Sequence, residues 1–369
     1  MPIIFFIVGL IVVERIVIAV FNHNWEKNLD VTIQFDSDCV NEGSKGTITE
    51  VLSNGKNMKL PIANLKFELD KSIQYTDRTN VSVSDRQYRN DGMSLKGHMA
   101  YKRQFEVIFT KRGIYHICNP VLTTKDYLGL YEFAKEFELE SEIYVFPSYS
   151  RYTELVAPFS RAVGEAIKNK FLYEDPFEFK GIRDYTGTEP MKKINWSASA
   201  KTGDLKVNNY YDTSSRHATI FLDIANDQIW RQDDQLEECI RIARNYLEGF
   251  IRNHVPVEIV TNAMDILDKK RICFDKGNDA GFVDKCLRKM TRIDFDEPTE
   301  RLYEYFNENS AGEDELCILL SVDQSSSMVE AYEKYLGKMT GEWICPKTPS
   351  SERQIRSGKI HVTYVEVGR

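Results

Sequence analysis

Ala218-Thr-Ile-Phe-Leu-Asp223 decides how the second half of this chain folds. A short run of apolar and β-branched residues ends at an aspartate, the pattern of a buried strand running out into an acidic loop. Leu236, Ile240, Ala243, Leu247 and Phe250 then recur at helical spacing and predict an amphipathic helix of about six turns. Downstream, Val255–Val260, Leu316–Val322 and His361–Glu366 read as strands. Phe282–Met290, Glu300–Phe306 and Met328–Leu336 read as helices. Strands alternating with helices over 217–369 predict a Rossmann-like, mostly parallel, doubly wound sheet. Ligands of such sheets bind beyond the C-terminal ends of the strands, which places Asp223 and Asp323 on one rim.

Upstream the period changes. Val31, Ile33 and Phe35 alternate with polar residues, as do Leu65, Phe67 and Leu69, and again Phe105, Val107 and Phe109. Gly46–Val51, Ile114–Ile117 and Ile143–Phe146 are further strand-sized runs, and Ser53-Asn-Gly55 is a turn signal. Residues 25–149 therefore predict an antiparallel β-sandwich. The stretch 150–216 has little periodicity and many aromatic and charged residues, and reads as a connector between the two domains.

Residues 1–24 are apolar from Ile3 to Val13 and from Ile16 to Phe21, interrupted by Glu14 and Arg15. One helix of about 19 residues at ~1.5 Å each approaches the ~30 Å hydrocarbon thickness of a bilayer. Charges inside that layer are costly, and adjacent residues on a helix diverge, so Glu14 and Arg15 do not simply neutralise each other. Tilt, with Arg15 snorkelling and Trp25 at the interface, reduces the cost. A cleaved signal peptide would show a basic start and a small-x-small site, and neither is present; a buried core helix is the other alternative. Arg15 and Lys27 lie towards the C-terminal side, so the positive-inside rule expects a single-pass anchor in the cell membrane with cytoplasmic soluble domains.

The 369 residues are 42% hydrophobic and 28% charged, a globular composition, with a net charge of −8. That balance argues against general affinity for nucleic acid, which needs a basic face to displace counterions. Seven cysteines, none in a CxxC pair, suit buried free thiols in a reducing compartment rather than a zinc site. The six histidines show no i, i+4 pair, and there is no phosphate loop, HExxH or nucleophile elbow. The chain is therefore expected to be non-enzymatic, with an enzyme of unspecified chemistry as a minor reading.

The longest ordered signal is Glu178-Phe-Lys-Gly-Ile-Arg-Asp-Tyr-Thr-Gly-Thr-Glu-Pro-Met-Lys-Lys-Ile-Asn-Trp-Ser-Ala-Ser-Ala-Lys201. It resembles the hallmark of the bacterial family called domain of unknown function fifty-eight, through Gly181, Arg183, Asp184, Tyr185, Gly187, Ile194, Trp196, Ala200 and Lys201. Lys111-Arg-Gly-Ile-Tyr115, Asp126-Tyr-Leu-Gly-Leu-Tyr131 and Asn41-Glu-Gly43 are similar to other elements of that family. Thr188 replaces the usual aspartate and Lys192-Lys193 the usual arginine. Two readings of the motif stay open. Arg183, Lys192, Lys193 and Lys201 form a basic surface, or Arg183 with Asp184 and Trp196 with Ile194 knit the connector to the domains.

The resemblance implies a von Willebrand factor A-type fold for the C-terminal domain, which often holds a divalent cation by D-x-S-x-S, a threonine and a further aspartate. Here the first motif reads Asp223-Ile-Ala-Asn-Asp227, so Ala225 and Asp227 stand where serines are usual. Asp223, Asp227 and Asp323, with Thr291 as a candidate threonine, make an incomplete set that would take Mg²⁺ if any cofactor binds. The alternative is that Asp223 and Asp227 cap the following helix. The resemblance further implies a membrane-tethered adaptor or assembly factor. It would work with a MoxR-type AAA+ ATPase and recognise an unidentified client protein through the von Willebrand-like domain. An extracellular adhesion or ligand-binding protein with a degenerate metal site is the alternative.

Overall fold

The computed structural model of the chain describes residues 2–367 except 78, 84–85, 90–91, 171–173, 188, 213–216, 226–232, 298–299, 313–314 and 349–354. The chain divides into two compact units, Met1–Ser148 and Tyr149–Arg369. The stretch expected to connect two domains lies within the second unit.

The first unit opens with helix α1, Pro2–Asn24. From Ile3 to Val20 its side chains are almost all uncovered, with Phe5 74% and Phe6 73% exposed. By length and composition this helix can cross a membrane. Its last turn behaves differently. Phe21 and Trp25 are buried, and the Phe21 ring lies 5.4 Å from those of both Tyr127 and Phe133. The helix is thus rooted in the β-structure that follows.

That β-structure follows from alternation. Leu29–Phe35, Lys45–Asn54, Met99–Phe109 and Ile73–Tyr75 form one antiparallel sheet in that order. Glu132–Glu136, Val121–Lys125, Leu60–Lys66 and Gly92–Leu95 form another. Inward residues such as Ile33, Ile48, Leu52, Leu65, Phe105 and Leu122 share one buried core. Glu50 also points inward; the strand register sets Arg103 opposite it, and the guanidinium donates to both carboxylate oxygens at 2.9 and 3.0 Å. One pairing departs from the expected antiparallel sandwich. In the sheet of Gly113–Cys118, Glu140–Phe146 and Cys39–Asn41, the last two strands run parallel. The three residues Cys39–Asn41 lie in the link between two antiparallel strands, and that link turns back along Glu140–Phe146.

The second unit is built on five strands, β1 His217–Leu222, β2 Val257–Thr261, β3 Glu315–Leu320, β4 Gly341–Lys347 and β5 Ile360–Glu366. All neighbours are parallel, in the order β2-β1-β3-β4-β5. Helices α4 Asp233–Arg252, α5 Ala280–Thr291, α6 Leu302–Glu308 and α7 Ser326–Leu336 connect them. Strand β4 was absent from the sequence-based expectation. Its first six residues are all buried, so it shows no alternation, and Pro346 argues against a central strand. The proline is tolerated because β3 pairs with β4 only as far as Ile344. Residues Phe221, Cys317, Leu319, Trp343 and Cys345 pack with Leu302, Phe306, Met328, Tyr332 and Tyr335 of α6 and α7.

Glu342 alternates with Trp343 and meets a helix of the former connector, α2 Val156–Lys170. Arg161 of α2 donates from Nε to Glu342 at 2.7 Å. The Phe159 ring stacks edge-on to Tyr246 of α4 at 5.1 Å and fills the notch left by Gly249. The inward residues of α2 include Ala162 and Ala166, too small to give the sequence a clear helical period. The cysteines are free, as expected, but Cys118 and Cys273 are exposed rather than buried.

Two outcomes follow for the α2 seat. A methyl group at Gly249 would overlap the Phe159 ring, so Gly249→Ala is expected to cost about 1–3 kcal/mol in denaturant unfolding, as overpacked cores do. Burial pushes the Glu342 carboxyl up to about 7, with Arg161 opposing the shift and Glu165 adding to it. A carboxyl raised on folding contributes most at low pH and loses that contribution as pH rises through the folded value. Wild-type melting temperature should therefore fall from pH 6 to pH 8 relative to Glu342→Gln, which keeps the acceptor but cannot ionise.

Candidate functional site

In the order β2-β1-β3-β4-β5, the chain direction across the sheet reverses between β1 and β3, and the C-terminal ends of those strands flank the crevice where parallel sheets bind ligands. Asp223 follows β1 there and is 1% exposed. Its Oδ1 accepts from the Asn262 amide at 2.8 Å and from the Ala225 backbone N–H at 3.2 Å. Its Oδ2 accepts from the Ser321 hydroxyl at 2.6 Å. Asn262 also accepts from the Ile224 N–H at 2.8 Å and donates to the Glu300 carbonyl at 2.9 Å. The Thr261 hydroxyl bonds to the Leu222 carbonyl at 2.7 Å. One carboxylate therefore ties together the ends of β1, β2 and β3.

Asp323 lies two residues beyond Ser321, and its N–H donates to the Ser321 hydroxyl at 3.0 Å. Its own carboxylate accepts from the N–H and hydroxyl of Ser325 at 2.9 and 3.1 Å, and Ser325 caps α7. Asp223 and Asp323 thus share the rim, as their spacing after two strands predicts. Asp227 lies outside the described residues, as does Thr188. Thr291 is not at this rim; it ends α5 and donates to the Arg288 carbonyl. The second strand's rim residues are Thr261 and Asn262, whose only sequence signal was their place directly after the run Val257–Val260. Ser321, two residues before Asp323, was likewise missed.

These residues fit a hydrogen-bonded structural knot better than a Mg²⁺ site. Hard cations want several free oxygen ligands in octahedral array. Both oxygens of Asp223 already take protein donors, Ala225 offers none, and Asp323 is engaged in capping. Among the described residues, no group of three or more His, Cys, Asp or Glu could hold a metal ion. Burial pushes the Asp223 carboxyl upward, while the Ser321 and Asn262 bonds oppose that and the Asp323 charge adds to it.

The motif Gly181–Lys201 forms a second construction. Glu174–Asp184 pairs antiparallel with Lys206–Asp212, setting Arg183 opposite Val207 and Asp184 opposite Lys206. Arg183 donates to Glu189 at 2.5 Å, and Glu189 also accepts from the Thr186 N–H and hydroxyl. The Thr186 hydroxyl and the Arg183 guanidinium outweigh desolvation and hold Glu189 down at about 2. Gly187, at φ +88°, supplies the left-handed turn between them. Tyr185 bonds through its N–H to Leu205, and Asp184 pairs with Lys206. Ile194 is buried and bridges to Val207, and Asn195 caps helix α3, Trp196–Thr202.

Arg183, itself exposed, therefore forms its ion pair with the buried Glu189 and not with Asp184. Lys192 and Lys201 are exposed and Lys193 is half-buried. Trp196 does not pack inward with Ile194; it is 60% exposed, near in sequence to Met191 at 70%. Gly181 is extended backbone, open on its side-chain face.

No family model matches the chain. Over 149 residues it is 22% identical to the uncharacterized protein YeaD of Bacillus subtilis (strain 168), covering 40% of this chain and 36% of that protein. The chain thus spans little more than a third of that relative's length. Among solved structures, the CARDB domain of PF1109 from Pyrococcus furiosus aligns with 32% of this chain and 93% of its own at TM-score 0.22 and 16% identity. A non-cellulosomal cohesin from Archaeoglobus fulgidus aligns with 31% and 91% at TM-score 0.22 and 13% identity. Likeness of that degree is silent on chemistry.

The knot makes opposite demands of two substitutions. Asp223→Ala leaves the Asn262 and Ser321 donors buried and unmatched, and is expected to cost about 1–3 kcal/mol. Asp223→Asn keeps an acceptor for Asn262 and removes a buried charge. Because a raised carboxyl loses its stabilising contribution as pH rises, the Asn variant should gain on wild type with increasing pH in thermal melts. Addition of millimolar Mg²⁺ should shift neither curve.

Proposed function

We propose that this chain is a membrane-tethered adaptor that binds a protein partner and has no catalytic role of its own. The observation that carries this reading is the contrast inside the motif. The polar groups of Arg183, Thr186 and Glu189 bond to one another, as do those of Asn195 and Ser199, while Trp196, Met191 and Ile182 are left to solvent at 60%, 70% and 48%. Exposed tryptophan on a braced scaffold is typical of a binding anchor, since aromatic side chains dominate interface energetics. A basic flank of Lys192 and Lys201 favours an acidic partner surface.

The family resemblance of Gly181–Lys201 supports membership of the domain of unknown function fifty-eight family, a von Willebrand factor A-type doubly wound second unit, and a MoxR-type AAA+ ATPase as co-worker. The rim of Asp223 and Asp323 at the strand ends would then serve as a recognition edge rather than a metal centre. Seven free thiols, two of them exposed, favour a reducing compartment and hence the cytoplasmic face of the cell membrane.

Crosslinking in bacterial membranes followed by mass spectrometry tests the partnership. A AAA+ ATPase should be recovered with the full chain, and Trp196→Ala should weaken capture by roughly 2 kcal/mol or more, the scale of a hot-spot residue. Recovery of no ATPase would defeat that part of the proposal. Cleavage of the C-terminal unit by protease added to intact cells would favour the adhesion reading instead.

A further inference from the structure

The turn Asp126–Tyr131 presents four large apolar side chains outward: Tyr127 at 49%, Leu128 at 52%, Leu130 at 59% and Tyr131 at 43% exposure. This exposure is built in. Asp126 is 2% exposed, and its Oδ1 accepts from the N–H groups of Leu130 and Tyr131 at 2.7 and 3.1 Å. Gly129, at φ +70°, closes the turn. A buried carboxylate thus fixes a knuckle whose tips are hydrophobic.

The knuckle is fixed against α1. The Tyr127 ring stacks edge-on to Phe21 at 5.4 Å, and the Tyr131 hydroxyl accepts from Arg15 at 3.3 Å. Arg15 to Phe21 spans about 9 Å of helix at ~1.5 Å per residue. Along that stretch Ile16 and Val20 are 57% and 54% exposed, so helix and knuckle together offer one uncovered apolar surface. Beyond it comes positive charge. Lys56 donates to the Trp25 and Lys27 carbonyls at 2.5 and 3.0 Å, Lys135 donates to that of Glu26 at 3.4 Å, and Tyr127 donates to that of Lys59 at 3.1 Å. Burial, and then the nearby charge of Lys135, pull Lys56 down to about 8.

The order along the α1 axis is apolar helix, then tyrosine and leucine tips, then lysines. A bilayer has the same order of layers: hydrocarbon, interfacial belt favoured by aromatic rings, and anionic headgroups that attract lysine. We propose that the turn Asp126–Tyr131 is a second membrane contact, with Leu128 and Leu130 in the interfacial layer beside α1 and Lys27, Lys59 and Lys135 facing anionic headgroups. The inference rests on α1 spanning the bilayer. It also gives Arg15 a partner, the Tyr131 hydroxyl of the knuckle.

The test uses the full chain in nanodiscs of mixed zwitterionic and anionic phospholipid, with Cys39, Cys118 and Cys273 changed to serine. A single environment-sensitive fluorophore is placed at Leu128→Cys, at Val8→Cys within α1, or at Asp38→Cys near the far end of the strand Leu29–Phe35. Quenching by lipids brominated on their acyl chains is expected at positions 8 and 128 and not at 38. Quenching at 8 without 128 overturns the knuckle contact and leaves the anchor standing. No quenching at 8 overturns the anchor and the inference with it. A blue-shifted, unquenched label at 128 means that protein, such as a second copy, covers the turn, and also overturns the inference. Leu128→Ser with Leu130→Ser should keep α1 inserted while moving a label at Tyr131→Cys out of reach of the quencher.

Discussion

The second unit depends on one buried carboxylate. Parallel strands do not share hairpins; the ladder sets Leu222 opposite Thr261 and Leu320, and what remains is to join the loops that leave the sheet at that level. Asp223 does this by accepting from Asn262 after β2 and Ser321 after β3 while its own N–H bonds to Leu320. A charge in that position would be costly without partners. With three donors it becomes a fixed point from which the rim loops, the α7 cap and the seat of Trp343, whose indole donates to the Ser321 carbonyl, are all set.

The same principle operates in the motif of the former connector. Glu189 gathers Arg183 and both donors of Thr186, and the strands on either side are held in register around it. Pairing these polar groups with one another leaves the apolar side chains of α3 and the preceding turn with nothing from their own segment to cover them. Paired polar groups and uncovered apolar side chains are two sides of one arrangement. On the function proposed above, that apolar exterior is where the partner binds.

Where periodicity was strong, the sequence was readable. The run Ala218–Leu222 and the spacing Leu236 to Phe250 became β1 and α4 because burial on a sheet and on a helix leaves different apolar periods. Strand β4 escaped because burial on both faces erases alternation, and α2 because alanine fills its contact face. At the rim, the two aspartates were legible as strand-terminal residues. Asn262 and Ser321 were not, since their role comes from which strands are neighbours in space. Thr291 was misplaced for that same reason. Arg183 is six residues from Glu189, a spacing that marks neither helix nor strand, so its pairing waited on the turn at Gly187.

Phe21 belongs at once to α1 and to the core of the first unit, where Trp25, directly after the helix, joins it, and this has a mechanical consequence. A domain hung from a membrane by a flexible tether samples a volume and meets partners from any direction. Here the chain passes from Asn24 to the strand beginning at Leu29 with its last helical turn already packed, so tilt or rotation of the helix becomes tilt or rotation of the whole first unit. With α1 inserted as proposed, the bilayer acts as a reference plane. Changes in its thickness or crowding would be read by the unit as a change of angle, and anything binding that unit would meet it in a restricted pose.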